Sequence, residues 1–323
     1  MADEKYPKLT VEQYNDIANG GWSYAVPWEV AEEAHKRNIK SLEEAFAEYE
    51  KEDRPLRILA IHGSGRANVY GSYGDSNSKY LLQQSLEIVK DIDAKIEIEE
   101  VQLTDYNIAA CYNCVAVTSG GCGAPCDCHP VDGMQELYPK LLRSDIHFCS
   151  TGVNQSTMSS RLKLMVDRMI SLDGGFHREE LREKDDEFFT EMMQLAKEGK
   201  VAYDQRLYGR VGGYFITSKD VENQHKTVNH LKEQDVLAET NYIRLTAYTL
   251  KDNFESYGYF HDPVYWTGAA ADADIDYMYD RETLENNKQA IARGKEVVEN
   301  AITLSKHLKT NLPEFKPDRI NRT

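Results

Sequence analysis

From residue 56 onward, the apolar residues fall into short runs and helical stripes that alternate along the chain. The run Leu56–His62 is rich in strand-forming residues and is followed by Gly63, which predicts a buried strand. Ser78–Ile92 instead places its apolar residues at helical spacing, and Lys95–Val101 alternates them with acids as an outer strand does. The pattern therefore predicts a strand, a helix and a second strand in succession.

The same alternation continues to the end of the chain. The further predicted elements are a helix at Met134–Leu142, a strand at Asp145–Thr151, a helix from Ser160, a strand at Val211–Ile216, a helix near His225–Lys251, a strand near Glu255–Tyr259 and a helix from Asp280 past Ile302. Strands that alternate with helices predict an α/β sandwich, a parallel sheet covered on both faces. Five strands fit the flavodoxin-like order 2-1-3-4-5, which binds its ligand beyond the carboxyl ends of the strands.

These predicted elements divide the chain into an N-terminal arm, a main domain and a C-terminal tail. Residues 1–54 are predicted to be a helical N-terminal extension with helices at Val11–Ala18 and Trp28–Glu50. Residues 55–308 are predicted to form the flavodoxin-like domain. The map also contains a cysteine-rich loop at 103–133, an insertion at 172–209 with a helix near Asp186–Lys197, and a C-terminal tail at 309–323.

Charge and hydropathy exclude several classes of partner. The formal net charge of −16 opposes binding along nucleic acid or an anionic membrane surface. No apolar run approaches the roughly 20 residues that span a bilayer. Met1–Thr10 is charged and lacks the apolar core of a signal peptide, so we expect a cytoplasmic protein.

A Gly/Ser-rich loop follows the first predicted strand. Its candidate ligand-binding residues are Ser64, Gly65, Arg66, Ser76, Asn77 and Ser78. Two interpretations compete: a surface turn with an ordinary helix cap, here assigned to Asn77, and a phosphate site at a helix N-terminus. Its place at the first strand-to-helix turn favours the phosphate site. The absence of a G-x-G-x-x-G motif and of a P-loop lysine argues against a dinucleotide site or an NTPase.

The loop resembles the Gly-Ser-x-Arg…Ser-Asn-Ser/Thr signature of NADPH-dependent FMN reductases and iron–sulfur flavoproteins. The stretch that follows the third core strand, Thr151–Met158 and then Leu162–Arg168, resembles the second flavin loop and helix of that family. The resemblance implies that FMN is bound, with the isoalloxazine ring against Thr151, Gly152, Val153, Asn154, Ser156, Met158, Thr217 and Ser218. Asp167 and Arg168 are predicted to form an architectural ion pair.

Five of the six cysteines are spaced Cys111-x2-Cys114-x7-Cys122-x3-Cys126-x-Cys128. Three interpretations stay open: a 4Fe–4S cluster, a structural zinc site, and thiols or disulfides without metal. The resemblance to iron–sulfur flavoproteins implies Cys111, Cys114 and Cys128 as ligands, with Cys122 or Cys126 as the fourth. Cys149 lies within a predicted strand and is expected to be a core residue.

These features predict an FMN-dependent NAD(P)H oxidoreductase that passes electrons to a quinone, a flavin or another small acceptor, with an iron–sulfur cluster as an additional carrier. The first alternative is an iron–sulfur flavoprotein that carries electrons between protein partners, such as a ferredoxin-like protein, without NAD(P)H. The second is a flavin-free scaffold. The family resemblance also implies a homodimer or homotetramer. We expect neither a nucleic-acid nor a membrane partner.

Overall fold

The computed structural model describes residues 28–65, 76–112, 124–126, 128–155, 157–172, 206–218, 242–270 and 281–313. Within these ranges the strands are β1 (Arg57–His62), β2 (Glu97–Gln102), β3 (Ile146–Gly152), β4 (Val211–Ser218) and β5 (Trp266–Ala270). They form one parallel sheet in the order β2-β1-β3-β4-β5. The predicted flavodoxin-like order is therefore confirmed.

Helices cover both faces of this sheet. The described helices are α1 (Trp28–Tyr49), α2 (Asn77–Leu86), α3 (Val89–Ile92), α4 (Met134–Arg143), α5 (Ser160–Arg168), α6 (Tyr242–Ser256), α7 (Arg281–Asn286) and α8 (Lys288–Asn311), with 3-10 turns at Leu103–Asp105 and Met169–Leu172. One apolar core joins α4, α5 and α6 to the sheet. A second core joins α2 and α8 to the opposite face, which completes the predicted three-layer sandwich.

The burial of β1 explains why its sequence is a continuous apolar run. Leu59 and Ile61 belong to the core beneath α4 and α5, whereas Ile58 and Ala60 belong to the core beneath α2 and α8. A parallel strand that is buried on both faces has no polar side to alternate with. β2 lies at the edge, and its Ile98 remains exposed, in keeping with the looser alternation of that strand.

Helix α1 confirms the second of the two helices predicted in the N-terminal arm, and it packs on α4. Its last residue, Tyr49, lies between two guanidinium groups, with Arg210 3.4 Å and Arg54 4.3 Å from the ring centroid. Arg54 also makes a bidentate pair with the buried Asp145, at 2.6 and 2.7 Å. These contacts attach the arm to the amino ends of β1, β3 and β4. The predicted helix Val11–Ala18 lies outside the described residues.

The predicted strand at Glu255–Tyr259 is wrong. Helix α6 continues to Ser256, and the aromatic residues that produced the alternation pack under its end, with the Tyr259 ring 4.8 Å from that of Phe254. The fifth strand is instead Trp266–Ala270, in which the four residues after Trp266 are small. A Cβ at Gly268 would overlap the side chain of Ile243 in α6, so the close approach of that helix explains this composition.

Other predicted boundaries differ in detail. The helix predicted at Ser78–Ile92 is two helices, because residues 87–88 form a turn. The final helix is interrupted at Asn287, whose side chain caps α8 by accepting a hydrogen bond from Ala290 N at 3.0 Å. Helix α8 ends at Asn311, beyond the predicted domain boundary at 308. The predicted insertion helix Asp186–Lys197 lies outside the described residues.

His147 makes the stability of this fold pH-dependent. Its ring is fully buried in β3 and shares a hydrogen bond with the Tyr259 hydroxyl. Burial, and secondarily the positive charge of Arg210, lowers the pKa of His147 from 6.5 to about 3. In the unfolded chain the imidazole takes up its proton near the ordinary pKa, so the unfolded state binds more protons between these values. The contribution of the neutral His147 to the free energy of unfolding is therefore fully present above pH 6.5 and is lost as the pH falls toward 3.

We expect the free energy of unfolding to fall by up to about 1.4 kcal/mol per pH unit below pH 6.5 because of this one residue. His147→Gln should remove that part of the slope in urea titrations performed at a series of pH values. His307→Gln, which changes an exposed histidine of α8, is the matched control and should keep the wild-type slope. If the free energy of unfolding of His147→Gln fell with pH as steeply as that of the wild type, His147 would not be the source of this pH dependence.

Candidate functional site

The turn after β1 is held by hydrogen bonds from three neighbouring elements. Gly63 N donates to Ser150 O at 2.8 Å, and the hydroxyl of Ser159 donates to Gly63 O. Gln102 Nε2 donates to the carbonyls of His62 and Ser64 at 3.2 and 3.1 Å. Since β2, β3 and the N-cap of α5 all fix its backbone, this turn is preorganised at the carboxyl edge of the sheet.

The two glycines of this turn have opposite surroundings. A Cβ at Gly63 would lie 2.8 Å from Leu162 Cβ and 3.2 Å from Ser150 O, so only glycine allows this close approach. Among the described atoms, none lies within 4 Å of a Cβ built at Gly65. The described residues therefore leave the space beside Gly65 open, while Gly63 anchors the turn to α5 and β3.

Helix α2 begins on the far side of this turn. Ser76, not Asn77 as predicted, is its N-cap, because the Ser76 hydroxyl accepts a hydrogen bond from Lys79 N at 3.2 Å. The shorter serine side chain reaches the N3 amide in the extended conformation that a cap requires. Ser78 is buried, and its hydroxyl lies 3.3 Å from that of Ser76. We define Gly63–Gly65 and Ser76–Ser78 together as the phosphate loop.

The ends of β3 and β4 lie beside each other and continue this edge. Gly152 pairs with Thr217 in the sheet, and Val153 N donates to Thr217 O at 2.8 Å. Thr151 Oγ1 accepts a hydrogen bond from Ser159 N at 3.0 Å, so the second loop shares Ser159 with the phosphate loop. The structure thus brings three predicted segments together at one edge, namely the phosphate loop, Thr151–Val153 and Thr217–Ser218.

The rest of the second loop forms a tight exposed turn. Asn154 N donates to Thr157 O at 2.7 Å, and Gln155 between them has a left-handed φ of 49°. The Asn154 side chain is exposed at this turn, whereas Met158 is buried in the core shared with α5. Met158 therefore supports the loop from below. Arg66 and Ser156, which were also predicted to contact the ligand, lie outside the described residues.

The start and end of the cysteine-rich loop lie against each other. His129 Nε2 lies 3.0 Å from Ala110 O, and the Tyr112 and His129 rings are 4.6 Å apart. Cys111 and Cys128 are therefore on adjacent segments, while Cys126 is buried with its carbonyl bound by Gln135 Nε2 at 2.9 Å. Cys114 and Cys122 lie outside the described residues. Across the described ranges, no group of three or more potential ligands is arranged to hold a metal ion.

A buried ion pair closes this loop. Arg168 in α5 bonds Asp132 at 2.6 and 3.3 Å and also donates to Ala109 O at 3.0 Å, while Ala109 N donates to Asp132 at 3.1 Å. The predicted Asp167–Arg168 pair is wrong, because Asp167 instead pairs with Lys163 on the surface. Burial alone would lower the pKa of Arg168, but the Asp132 carboxylate outweighs burial and raises it.

Cys149 is fully buried in β3, which confirms that it is a core residue. Burial raises the pKa of its thiol well above the ordinary value. A thiol in that environment stays protonated and is a poor nucleophile or metal ligand.

Comparison with known sequence families shows to which family the chain belongs. The sequence model of the NADPH-dependent FMN reductases matches residues 56–234, which include the phosphate loop, the cysteine-rich loop and the ends of β3 and β4. The chain belongs to the NADPH-dependent FMN reductase family. It is accordingly an FMN-dependent oxidoreductase. A comparison with curated proteins gave no match.

One of the similar solved structures, RosB, shares the fold of this chain. RosB with bound 8-demethyl-8-formylriboflavin-5'-phosphate is 15% identical, with a TM-score of 0.53 over 82% of this chain and 84% of that one. An FMN-dependent NADH-azoreductase from Bacillus anthracis in complex with FMN is also 15% identical, with a TM-score of 0.40 over 78% of this chain and 100% of that one.

Among the described residues, no helix combines the length and apolar character of a membrane span.

Several residues that support the candidate site were not predicted from sequence. Gln102 and Ser159 hold the phosphate loop from neighbouring elements, and His62 lies directly beneath it. Ser159 had a local signal, because a serine immediately before an amphipathic helix is typical of an N-cap. No motif marks Gln102 or His62, since their contacts depend on the register of three strands.

Proposed function

We propose that this chain binds FMN across the carboxyl ends of β1, β3 and β4 and uses NAD(P)H to reduce a small electron acceptor. The observation that carries the proposal is the preorganised phosphate loop within the segment that matches the FMN reductases. A helix N-terminus with capping serines favours a bound phosphate because its backbone N–H groups and the helix dipole face the anion.

The described residues fit the phosphate and ribityl part of FMN. The space that the described residues leave at Gly65 would admit an anion close to the backbone, and Ser78 has a buried hydroxyl at the first turn of α2. The RosB structure, whose fold this chain shares, holds a flavin phosphate. We propose that Ser64, Gly65, Arg66, Ser76, Asn77 and Ser78 bind the phosphate.

The ring is proposed to lie against the neighbouring strand ends. A Cβ at Gly152 would meet only Thr217 O among the described atoms within 4 Å, at 3.9 Å, so the end of β3 offers an unobstructed surface. The Thr151–Asn154 segment, Ser156 and the Thr217–Ser218 pair would surround the ring, with Met158 beneath the loop. When bound, FMN supplies the hydride-accepting chemistry, and these residues orient the ring and exclude water from one face.

The cysteine-rich loop is proposed to hold a 4Fe–4S cluster through Cys111, Cys114 and Cys128 with Cys122 or Cys126. The adjacency of the Cys111 and Cys128 segments supports a shared centre. Iron and sulfide analysis after anaerobic purification tests this assignment. About four irons per chain supports a cluster, whereas stoichiometric zinc or a metal-free protein would contradict it.

Anaerobic mixing with reduced nicotinamide tests the proposed activity. We expect the visible absorption of FMN bound to the protein to bleach when NADPH or NADH is added, and to return when a quinone is added. Reduction by a ferredoxin but not by either nicotinamide would contradict the oxidoreductase and favour a carrier between proteins. Failure of the protein to bind FMN would contradict both the oxidoreductase and the electron carrier.

Two serines on α2 provide a matched pair for the phosphate site. Ser78→Ala should weaken FMN binding about ten- to a hundredfold, since a hydrogen bond to a charged group contributes about 1.5–3 kcal/mol. Ser85→Ala, two turns further along the same helix, should leave FMN binding unchanged, because the buried Ser85 hydroxyl donates to Leu81 O at 2.7 Å. Fluorescence titration of FMN measures both. Equal affinities for the two variants would place the phosphate elsewhere.

A further inference from the structure

The side chain of Gln102 bonds two carbonyl groups of the turn after β1. Gln102 is the last residue of β2 and lies beside His62 in the register of the sheet. Its Nε2 donates to His62 O at 3.2 Å and to Ser64 O at 3.1 Å. A single amide group therefore bridges the backbone on either side of Gly63.

These two contacts suit an amide and not an acid. Carbonyl oxygens only accept hydrogen bonds, so the group that faces both of them must supply two donors. The three other polar residues of β2 are glutamates, and a carboxylate at position 102 would place an unprotonated oxygen against two carbonyl oxygens. Glutamine at this position instead fixes the direction of both carbonyl groups.

The direction of a carbonyl group sets the direction of the next N–H group. In a trans peptide the C=O bond and the following N–H bond point to opposite sides. The first peptide of the turn shows this arrangement, because His62 O faces β2 while Gly63 N donates to Ser150 O on β3 at 2.8 Å. The same rule applies to the peptide after Ser64.

The peptide that joins Ser64 to Gly65 is held by Gln102. Ser64 O faces that side chain, so the N–H of Gly65 points away from it. Among the described atoms, Gly65 N–H has no acceptor, and none lies within 4 Å of a Cβ built at Gly65. A backbone N–H held in this direction can donate to a phosphate oxygen, whereas a reversed peptide would present a carbonyl oxygen and repel the anion.

We propose that Gln102 is a positioning residue that directs the Gly65 N–H toward the flavin phosphate, and that it thereby makes the site prefer FMN to riboflavin. The inference rests on the proposed function, which assigns the phosphate to this loop. Gln102 acts through the backbone of the loop. Riboflavin has the same ring and ribityl chain without the phosphate, so the orientation of the Gly65 peptide should not affect its affinity.

Titration of the full chain with FMN and with riboflavin measures this preference as the ratio of the two dissociation constants. Gln102→Met keeps the length of the side chain and removes both donors. We expect its preference for FMN to fall about tenfold, with the affinity for riboflavin unchanged, because a well-placed hydrogen bond to a charged group is worth at least that much. Gln83→Met is the matched control, since the Gln83 amide donates to Glu100 at 2.9 Å and not to the loop. It should keep the wild-type preference.

Nuclear magnetic resonance of the wild-type chain tests the same inference without a variant. With glycine labelled by the heavy nitrogen isotope, FMN should move the amide proton of Gly65 downfield, and riboflavin should not. Gly63 is the internal control, because its N–H already bonds Ser150 O. Its resonance should respond equally to the two flavins. If Gln102→Met does not fold, this measurement decides the question.

The outcomes separate the inference from the function on which it rests. A preference for FMN in Gln102→Met equal to that of the wild type, or an equal loss of affinity for both flavins, would overturn the role of Gln102 while FMN binding itself stands. A Gly65 amide that responds equally to FMN and to riboflavin would do the same. Absence of FMN binding to the wild type would overturn the proposed function as well.

Discussion

Replacing Asp132 with asparagine is expected to lower the free energy of unfolding by about 3–5 kcal/mol, because Arg168 would keep a buried charge without its counter-ion. Both side chains are buried, and their hydrogen bonds join α5 to both ends of the cysteine-rich loop. Chemical denaturation of the purified variant measures the change. We also expect the loop to become susceptible to proteolysis.

The neighbouring acid provides the control for this prediction. Asp167 lies next to Arg168 in sequence, but it pairs with Lys163 at the surface, where such pairs contribute about 0–1 kcal/mol. Asp167→Asn should therefore change stability little. A loss of stability in Asp132→Asn no larger than that in Asp167→Asn would show that the buried pair does not hold the loop.

Valine at Gly63 and valine at Gly65 of the phosphate loop are expected to differ in their effect on stability. Gly63→Val should lower the free energy of unfolding by about 1–3 kcal/mol, because its side chain would overlap Leu162 and the backbone of β3. Gly65→Val, at an exposed position with no described atom near its Cβ, should change it by less than about 0.5 kcal/mol.

The same two variants separate an effect on folding from an effect on FMN binding. Gly65→Val should weaken FMN binding about a hundredfold, or about 2.8 kcal/mol, since the new side chain would fill the space assigned to the phosphate. Thermal unfolding without ligand and FMN titration are to be measured on the same preparations. A Gly65→Val variant that binds FMN as tightly as the wild type would place the anion away from this loop.

The sheet was predictable where the chain is buried on both faces. The predicted positions of β1, β3 and β4, whose residues are almost all buried, agree with the structure to within two residues. β5 was not predictable in this way, because its sequence Trp-Thr-Gly-Ala-Ala carries little apolar signal. Its small side chains reflect the closeness of α6, and sequence periodicity does not report such tertiary packing.

The loops of the site were predictable because their signals are local. Gly63, Ser64 and Gly65 directly follow an apolar run, and Ser76–Ser78 directly precede a helical stripe. The partner of Arg168 was not predictable, since Asp132 lies 36 residues away and only the fold brings it near. Residues adjacent in a helix point in different directions, so the sequence neighbour Asp167 was a misleading choice.

The position of the flavin phosphate is the claim on which the functional account depends. A crystal structure of the wild-type chain grown with FMN measures it directly. The account predicts the phosphate at the N-terminus of α2, within hydrogen-bond distance of the Ser64–Gly65 backbone and of Ser78 Oγ. A phosphate bound at any other edge of the sheet, with Ser78 still facing only Ser76, would contradict it.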